Sequence, residues 1–595
     1  MMKRRKLKKK VKKIVKIKKT PAPKPAKKVK KIPLKPIETV ARSIGIKKKF
    51  LENHGPYAAK INLDILMSKR KKKDSRYILV TSITPTPFGE GKTVTTIGLS
   101  MALNKLKKKA VACISQPSVA LLMGAKGPGT GFGFSQVLPF EDISMYLTYD
   151  TNAVETAHNF CASVLDDSIF RGNPLGFDLD NIVWKRVSGI EDRALRNVNI
   201  GLGGKSEGVA RKTGFEITAA SELMALLEIA ESLTDLKNRV DRITVGFTKT
   251  GKPITCEDLK ISGAIAVMLK NAMSPTIIET QEGTPCFMHA GSFGNISYGQ
   301  TSLVADRIGL KHCEYVITES GASAELGAEK FFDLKCRASG LTPDAVVLVC
   351  TVRGLKMHSG DYEISKTKKI PRDIARENIS SVERGLSNLE KQVENLEVFG
   401  IPIVLCVNRF PDDTEKEIAA IRRRAESLNI RHVAVSEACS RGSEGAEALA
   451  REVIAASKTR SKPRYLYPLD LPTKDKVKRI AKSLYGAKEI AYSDEVNKKL
   501  LFYKKLKLDN LPVCMAKTGL SLSHNPKKKG RPHGFKLPVT DVTPFTGAGF
   551  INVFCDDITT MPSLPSVIRA TRIEMDQEGK VKGLKDGRNH KNNTA

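Results

Sequence analysis

The stretch Thr84-Pro85-Thr86-Pro87-Phe88-Gly89-Glu90-Gly91-Lys92-Thr93 constrains this chain more than any other. It follows an apolar run, Tyr77-Ile78-Leu79-Val80, and precedes a helical pattern from Val94 to Leu106. Strand, glycine-containing loop and helix form the context that a phosphate-binding loop requires. Small residues let successive backbone N–H groups turn toward a phosphate, and the helix that starts there adds its positive dipole end. In such a loop Lys92 reaches the β- and γ-phosphates and Thr93 holds Mg²⁺ through the nucleotide. Residues Thr86 through Thr93 are therefore the expected nucleotide contacts. One departure from G-x-x-x-x-G-K-[ST] is visible: Thr86 stands at the first glycine position. The bland alternative is a chance loop between a strand and a helix.

At 595 residues, the chain is expected to fold as more than one lobe. Residues 1–35 read as a low-complexity basic tail, 36–350 as a nucleotide-binding α/β domain and 351–480 as a second α/β domain. Residues 481–584 read as a smaller α+β lobe, and 585–595 as a short tail. Ile37 to Leu66 reads as helical. Buried parallel strands are predicted at Arg242–Gly246, Asp344–Thr351, Ile401–Val407 and His432–Ser436. Long helical patterns lie between strands, as in Ser221 to Val240 and Ala375 to Val398. Strands alternating with helices predict an α/β fold: a parallel sheet carrying the phosphate loop, flanking helices and a smaller C-terminal lobe.

Lys+Arg total 100 against 63 Asp+Glu, a net charge of +37. Much of the excess lies before Glu38, the first acid. Basic runs recur at Lys69–Lys73, Lys105–Lys109 and Lys527–Lys529. A basic cleft suits anionic substrates, although a single run is usually a solvated face. The tail is expected to be disordered, and three roles stay open for it: a presequence, a contact for nucleic acid or another anionic surface, or a solubilising arm. The eleven cysteines show no metal-binding spacing and read as reduced, buried thiols. No apolar run is long enough to predict a membrane span. A cytoplasmic location is expected, with a mitochondrial one as the alternative.

The loop and its surroundings resemble the formate–tetrahydrofolate ligase family, also called 10-formyltetrahydrofolate synthetases. T-P-T-P-x-G-E-G-K-T is similar to that family's loop. Further similar segments are Arg196-Asn-Val-Asn-Ile-Gly-Leu-Gly-Gly-Lys205, Glu282-Gly-Thr-Pro285, Leu326-Gly-Ala-Glu-Lys330 and Leu355-Lys-Met-His358. Later ones are Leu511-Pro-Val-Cys-Met-Ala-Lys-Thr518, Leu520-Ser-Leu-Ser-His-Asn-Pro526 and Thr560-Met-Pro562. The ordered matches run from about residue 36 to 584. The resemblance implies that ATP phosphorylates formate and that N10 of tetrahydrofolate takes the formyl group. It also implies self-association. Carried over residue by residue, it makes Lys92, Asp150 and Arg353 catalytic candidates and Lys126, Lys356, His358 and Phe410 substrate contacts. His158 also fits a family position; as a lone histidine it reads as structural.

Some family positions are substituted. In Ile114-Ser115-Gln116-Pro117-Ser118, Ser115 replaces an arginine that would fork onto an acyl phosphate. Pro128, Thr130 and Phe132 replace small residues in a glycine-rich segment, where they are expected to crowd the site. Asn152 and Tyr298 replace histidines. Of three aromatics implied for the pterin slot, Phe410 remains, while Ala322 and Cys439 replace the others. Two functions are therefore weighed: a ligase with unusual substitutions, or a relative that keeps the fold and ATP binding and acts through its tail.

Overall fold

The computed structural model describes residues 33–584, except 70–73, 119–122, 124–128, 146–148, 205, 300, 364–370, 460, 567 and 580. The basic tail up to residue 32, the last eleven residues, Lys126 and Pro128 lie outside the described residues.

The apolar runs build one large sheet. Seven of its strands are mutually parallel, in the spatial order Pro285–Met288, Ala110–Ile114, Tyr315–Glu319, Arg76–Ser82, Ala345–Cys350, Ile403–Asn408 and His432–Ser436. Every residue of Ala110–Ile114, Tyr315–Glu319 and Ala345–Cys350 is buried. Near-continuous apolar strands are what a parallel sheet covered on both faces demands. Antiparallel strands Thr276–Thr280, Ala59–Ile61 and Leu51–Asn53 extend one edge. Strands from both sides of residue 350 lie in this single sheet.

Arg76–Ser82 is central. The chain leaves it, passes through the helix Lys92–Lys105, and returns as Ala110–Ile114 beyond Tyr315–Glu319 on one side. Ala345–Cys350 pairs with its other side. Strand order thus diverges at Arg76–Ser82. In open parallel sheets the crevice at such a point, outside the carboxyl ends of the strands, is where ligands bind.

Three local expectations need correction. Of Ile37 to Leu66, only Ile37–Ser43 is an α-helix. Gly45, at φ 79°, ends it, and the segment through Gly55 and Pro56 closes an edge hairpin of Leu51–Asn53 and Ala59–Ile61. The pattern Ser221 to Val240 is two helices, Glu222–Ile229 and Leu233–Asp241. Ser232 breaks it by accepting the Asp235 amide at 3.1 Å as a new N-cap. The strand expected at Arg242–Gly246 forms as Thr244–Thr248, in a separate antiparallel sheet with Pro253–Thr255 and Phe177–Ile182. There the chain turns back at Gly251, whose amide donates to the Thr248 carbonyl at 2.8 Å, and this leaves no room for a crossover.

The last hundred residues build a mixed four-stranded sheet, in the order Ala487–Tyr492, Phe535–Phe545, Phe550–Cys555, Val513–Ala516. It has a hydrophobic cluster of its own around Tyr485, Leu537 and Val553. Ten of the eleven cysteines are buried. Among the described residues, no helix is long and apolar enough to cross a membrane.

Candidate active site

The glycine-containing loop of residues 84–93 is held from inside by one carboxylate. Glu90 is buried, and its Oε1 accepts from the Thr86 amide at 2.9 Å and from the Thr86 hydroxyl at 3.0 Å. Its Oε2 accepts from the Thr351 hydroxyl at 2.5 Å. Thr86 Oγ1 in turn accepts from the Phe88 amide at 3.3 Å. The residue that departs from the glycine pattern is therefore part of the loop's brace. Burial raises the Glu90 carboxyl, while the Thr351 and Thr86 donors pull it back down.

Strand ends fix the loop from outside. Asn408, last residue of Ile403–Asn408, donates from Nδ2 to the Glu90 carbonyl at 3.0 Å. Gly91, at φ 79°, lies beneath it: a Cβ there would sit 2.3 Å from Asn408 Nδ2. Only glycine tolerates both that backbone and that approach. At the loop's start, the Thr84 carbonyl accepts from His358 Nε2 at 2.7 Å. The Thr84 hydroxyl accepts from Asn388 at 3.0 Å and from Gln392 at 2.9 Å. Burial pushes His358 down to about 4, so the ring is neutral, and its Nδ1 accepts from the Gly530 amide. His358 thus braces the loop.

The helix beginning at Lys92 has Gly91 as its N-cap and no side-chain cap. The first amides of a helix have no intrahelical acceptor, which makes this end suited to an anion. The helix is buried from Thr95 to Leu103. Gly98 lets the helix Ala438–Gly445 lie against it, since a Cβ there would come within 2.5 Å of Ala438 Cβ. The Lys92 ammonium donates to the Ala322 carbonyl and lies 3.5 Å from the Ser82 hydroxyl. Thr93 donates its hydroxyl to Glu319 Oε1 at 3.2 Å. Glu319 ends the strand beside the loop strand and is 5% exposed. Its other oxygen, Oε2, has no hydrogen-bond partner among the described residues. Burial pushes its carboxyl up to about 7, against the pull of the Thr93 hydroxyl, the Lys92 charge and Thr96.

Arg353 and Phe410, separate in sequence, meet. The Arg353 guanidinium lies 4.5 Å from the Phe410 ring centroid and pairs with Asp412 at 2.8 Å. The Phe410 amide is held by Asp413 Oδ2 at 2.8 Å. The helix Val352–His358, directly after strand Ala345–Cys350, carries both Arg353 and His358.

Other candidates are tied up inside the protein. Asp150, on the helix Tyr149–Phe170, is buried against Lys60 at 2.6 Å and Gln116 at 3.2 Å. Burial raises its carboxyl and the Lys60 charge opposes that. Lys356 pairs with Glu417 and donates to the Ile374 and Arg376 carbonyls. His158 stacks on Trp184 with centroids 3.9 Å apart, bonds to the Lys185 carbonyl, and is pushed down to about 3 by burial.

At the substituted positions, Ser115 is buried and Asn152 is exposed. Tyr298 is buried edge-on against Phe550 and donates its hydroxyl to the Ala548 carbonyl. Ala322 adopts φ 46° and offers its carbonyl to Lys92. Cys439 is half-buried, and its carbonyl holds the Phe134 amide at 2.9 Å. Thr130 is buried near Ser144, whereas Phe132 is exposed.

The sequence reading does not single out Glu319, Asn408, Thr351 or Asn388. Glu319 lies three residues before Ala322 and Asn408 two before Phe410. The signal that would find them is a polar residue at the carboxyl end of a buried strand.

These features define an α/β protein with a large, mostly parallel sheet, and the loop of residues 84–93 leaves that sheet at its strand-order switch. The formate–tetrahydrofolate ligase family model matches residues 26–585. Formate–tetrahydrofolate ligases of Herpetosiphon aurantiacus, Roseiflexus castenholzii and Saccharopolyspora erythraea are 44%, 46% and 44% identical to this chain. The matches cover 92%, 93% and 93% of this chain and 98%, 98% and 97% of theirs. The chain belongs to the formate–tetrahydrofolate ligase family.

Proposed function

We infer that this chain ligates formate to tetrahydrofolate with ATP, giving 10-formyltetrahydrofolate, ADP and phosphate. The observation that carries the reading is the family match over residues 26–585, with the glycine loop and its helix at the sheet's switch point.

A formate oxygen attacks the γ-phosphorus and ADP leaves. N10 of tetrahydrofolate then attacks the formyl carbon, phosphate departs, and N10 loses its proton. Phosphoryl transfer asks the protein for positioning and charge neutralisation more than for covalent chemistry. In this reading Thr86 to Thr93 contact the nucleotide, and Lys92 neutralises charge that grows on the transferred group. Arg353 and Phe410 present a cationic and an aromatic face to the substrates, with Lys126 as a further contact. His358 sets the start of the loop. Asp150 and Lys356, held in buried ion pairs, act through position. The oxygen donors around Thr93 suit a hard cation, and Mg²⁺ bound there would neutralise charge on the β- and γ-phosphates. Self-association follows from the resemblance, a cytoplasmic location from the dispersed, buried cysteines, and an anionic partner for residues 1–35 from their charge.

The test is purified protein with ATP, Mg²⁺, formate and tetrahydrofolate, with Lys92→Ala beside it. The expected result is formyl product equal to the ADP formed, with both slowed by about 10²–10³ in the variant. ADP without formyl product would overturn the reading.

A further inference from the structure

Three of the carboxylates near the nucleotide loop and the neighbouring strand ends, Glu90, Asp150 and Glu319, are separated by their hydrogen bonding. Glu90 has both oxygens engaged, one by Thr86 and one by Thr351. Asp150 has both oxygens on the Lys60 ammonium, and Gln116 adds a donor. Glu319 alone of the three is half used. Oε1 accepts from Thr93, whereas Oε2 is buried and makes no well-formed hydrogen bond among the described residues, the Thr96 hydroxyl being the other polar group that pulls on this carboxylate. A buried carboxylate oxygen without a donor carries an uncompensated desolvation penalty, and a cation arriving with the ligand would relieve it.

Position supplies one. Glu319 ends the strand parallel to and paired with the loop strand, opposite Val80, and the Ser320 amide donates to the Val80 carbonyl at 2.9 Å. The carboxylate therefore lies at the level where the loop begins. It touches the hydroxyl of the first-turn threonine, and the Lys92 charge acts on it. A hydroxyl at the helix start and a carboxylate at the next strand's end are both oxygen donors. A hard cation that keeps phosphate and water ligands needs only one or two such groups from the protein.

We propose that Glu319 is a metal-positioning carboxylate, holding with Thr93 the divalent cation that accompanies the nucleotide phosphates. The proposal rests on the ligase reading above and adds the residue that makes nucleotide binding metal-dependent. Gln at this position keeps an acceptor for Thr93 and removes the charge, so it separates bracing of Thr93 from cation binding.

The experiment is calorimetric titration of ATP, with Mg²⁺ and with excess EDTA, into the wild-type protein and Glu319→Gln, each checked for a cooperative melt. The wild type is expected to bind ATP more tightly with Mg²⁺. Glu319→Gln is expected to lose that tightening by on the order of tenfold or more, while its metal-free ATP affinity is kept or improved. Mn²⁺ titrated in the presence of ADP and followed by electron paramagnetic resonance should show the same loss. Wild-type metal dependence in Glu319→Gln would overturn the proposal and leave the ligase reading standing. No ATP binding by the wild type in either buffer would overturn the ligase reading itself. If Glu319→Gln does not fold, Glu319→Asp takes its place: the shortened carboxylate should weaken the Mg²⁺-dependent tightening, and an unchanged value would overturn the proposal.

Discussion

The proposed nucleotide loop and the substrate region inferred from family resemblance are built differently. The loop relies on backbone amides and on buried polar braces: Glu90, Asn408 and His358 each hold a specific loop atom. The resemblance places the substrate region on side-chain tips and puts the substitutions there. Ser115 carries no charge, Ala322 offers a carbonyl in place of a ring, and Tyr298 is committed to the Ala548 carbonyl. A site made of backbone survives substitution as long as its braces do. A site made of side-chain ends can change its chemistry while the fold around it stays the same.

That contrast can be broken from either side. The largest effect belongs to Lys92→Ala, which should lower kcat for formyl transfer by about 10²–10³, the usual loss for one electrostatic donor. A smaller loss would shift the phosphate chemistry away from the loop. Ser115→Arg works in the opposite direction: a guanidinium returned beside the acyl phosphate should raise kcat by up to about 10². No gain would mean that this buried position no longer faces the substrate. Glu90→Gln replaces an acceptor with a donor facing Thr86 or Thr351. Loss of one charged hydrogen bond is worth about 1.5–3 kcal/mol, so ATP affinity should fall about tenfold or more while the tetrahydrofolate Km stays unchanged. A change in Km alone would contradict the assignment of Glu90 to the loop.

Ala322→Phe should lower the tetrahydrofolate Km by up to about tenfold, since an aromatic face adds on the order of 1 kcal/mol. A further effect concerns stability. His358 is buried and neutral, held down to about 4 from an ordinary 6.5. Between those values the unfolded chain takes up a proton that the folded chain refuses. Its contribution is therefore complete above pH 6.5 and is lost as pH falls toward 4. Urea unfolding of His358→Asn should show a shallower loss of stability across that window, and an identical slope would place the titrating group elsewhere.

Legibility in the sequence follows the range of the interaction. Strand Arg76–Ser82, helix Lys92–Lys105 and the strands Ala345–Cys350 and Ile403–Asn408 are set by contiguous apolar runs and local glycines, so they could be read directly. The region from Ile37 to Leu66 misleads because its apolar spacing suits a helix while Gly45 and Gly55-Pro56 divide it. Glu319 and Asn408 could not be assigned, because their meeting with Thr93 and Glu90 depends on strand order. Asp150 and Lys356 look reactive in sequence, and only the fold reveals Lys60 and Glu417 beside them.

The central claim is that the loop transfers phosphate to formate before the formyl group moves. Its most direct test is turnover of formate labelled with ¹⁸O at both oxygens, followed by mass analysis of the released phosphate. The account expects one labelled oxygen in each phosphate, in step with formyl product and dependent on tetrahydrofolate. Unlabelled phosphate released alongside ADP would mean that water, not formate, receives the phosphoryl group, and would contradict it.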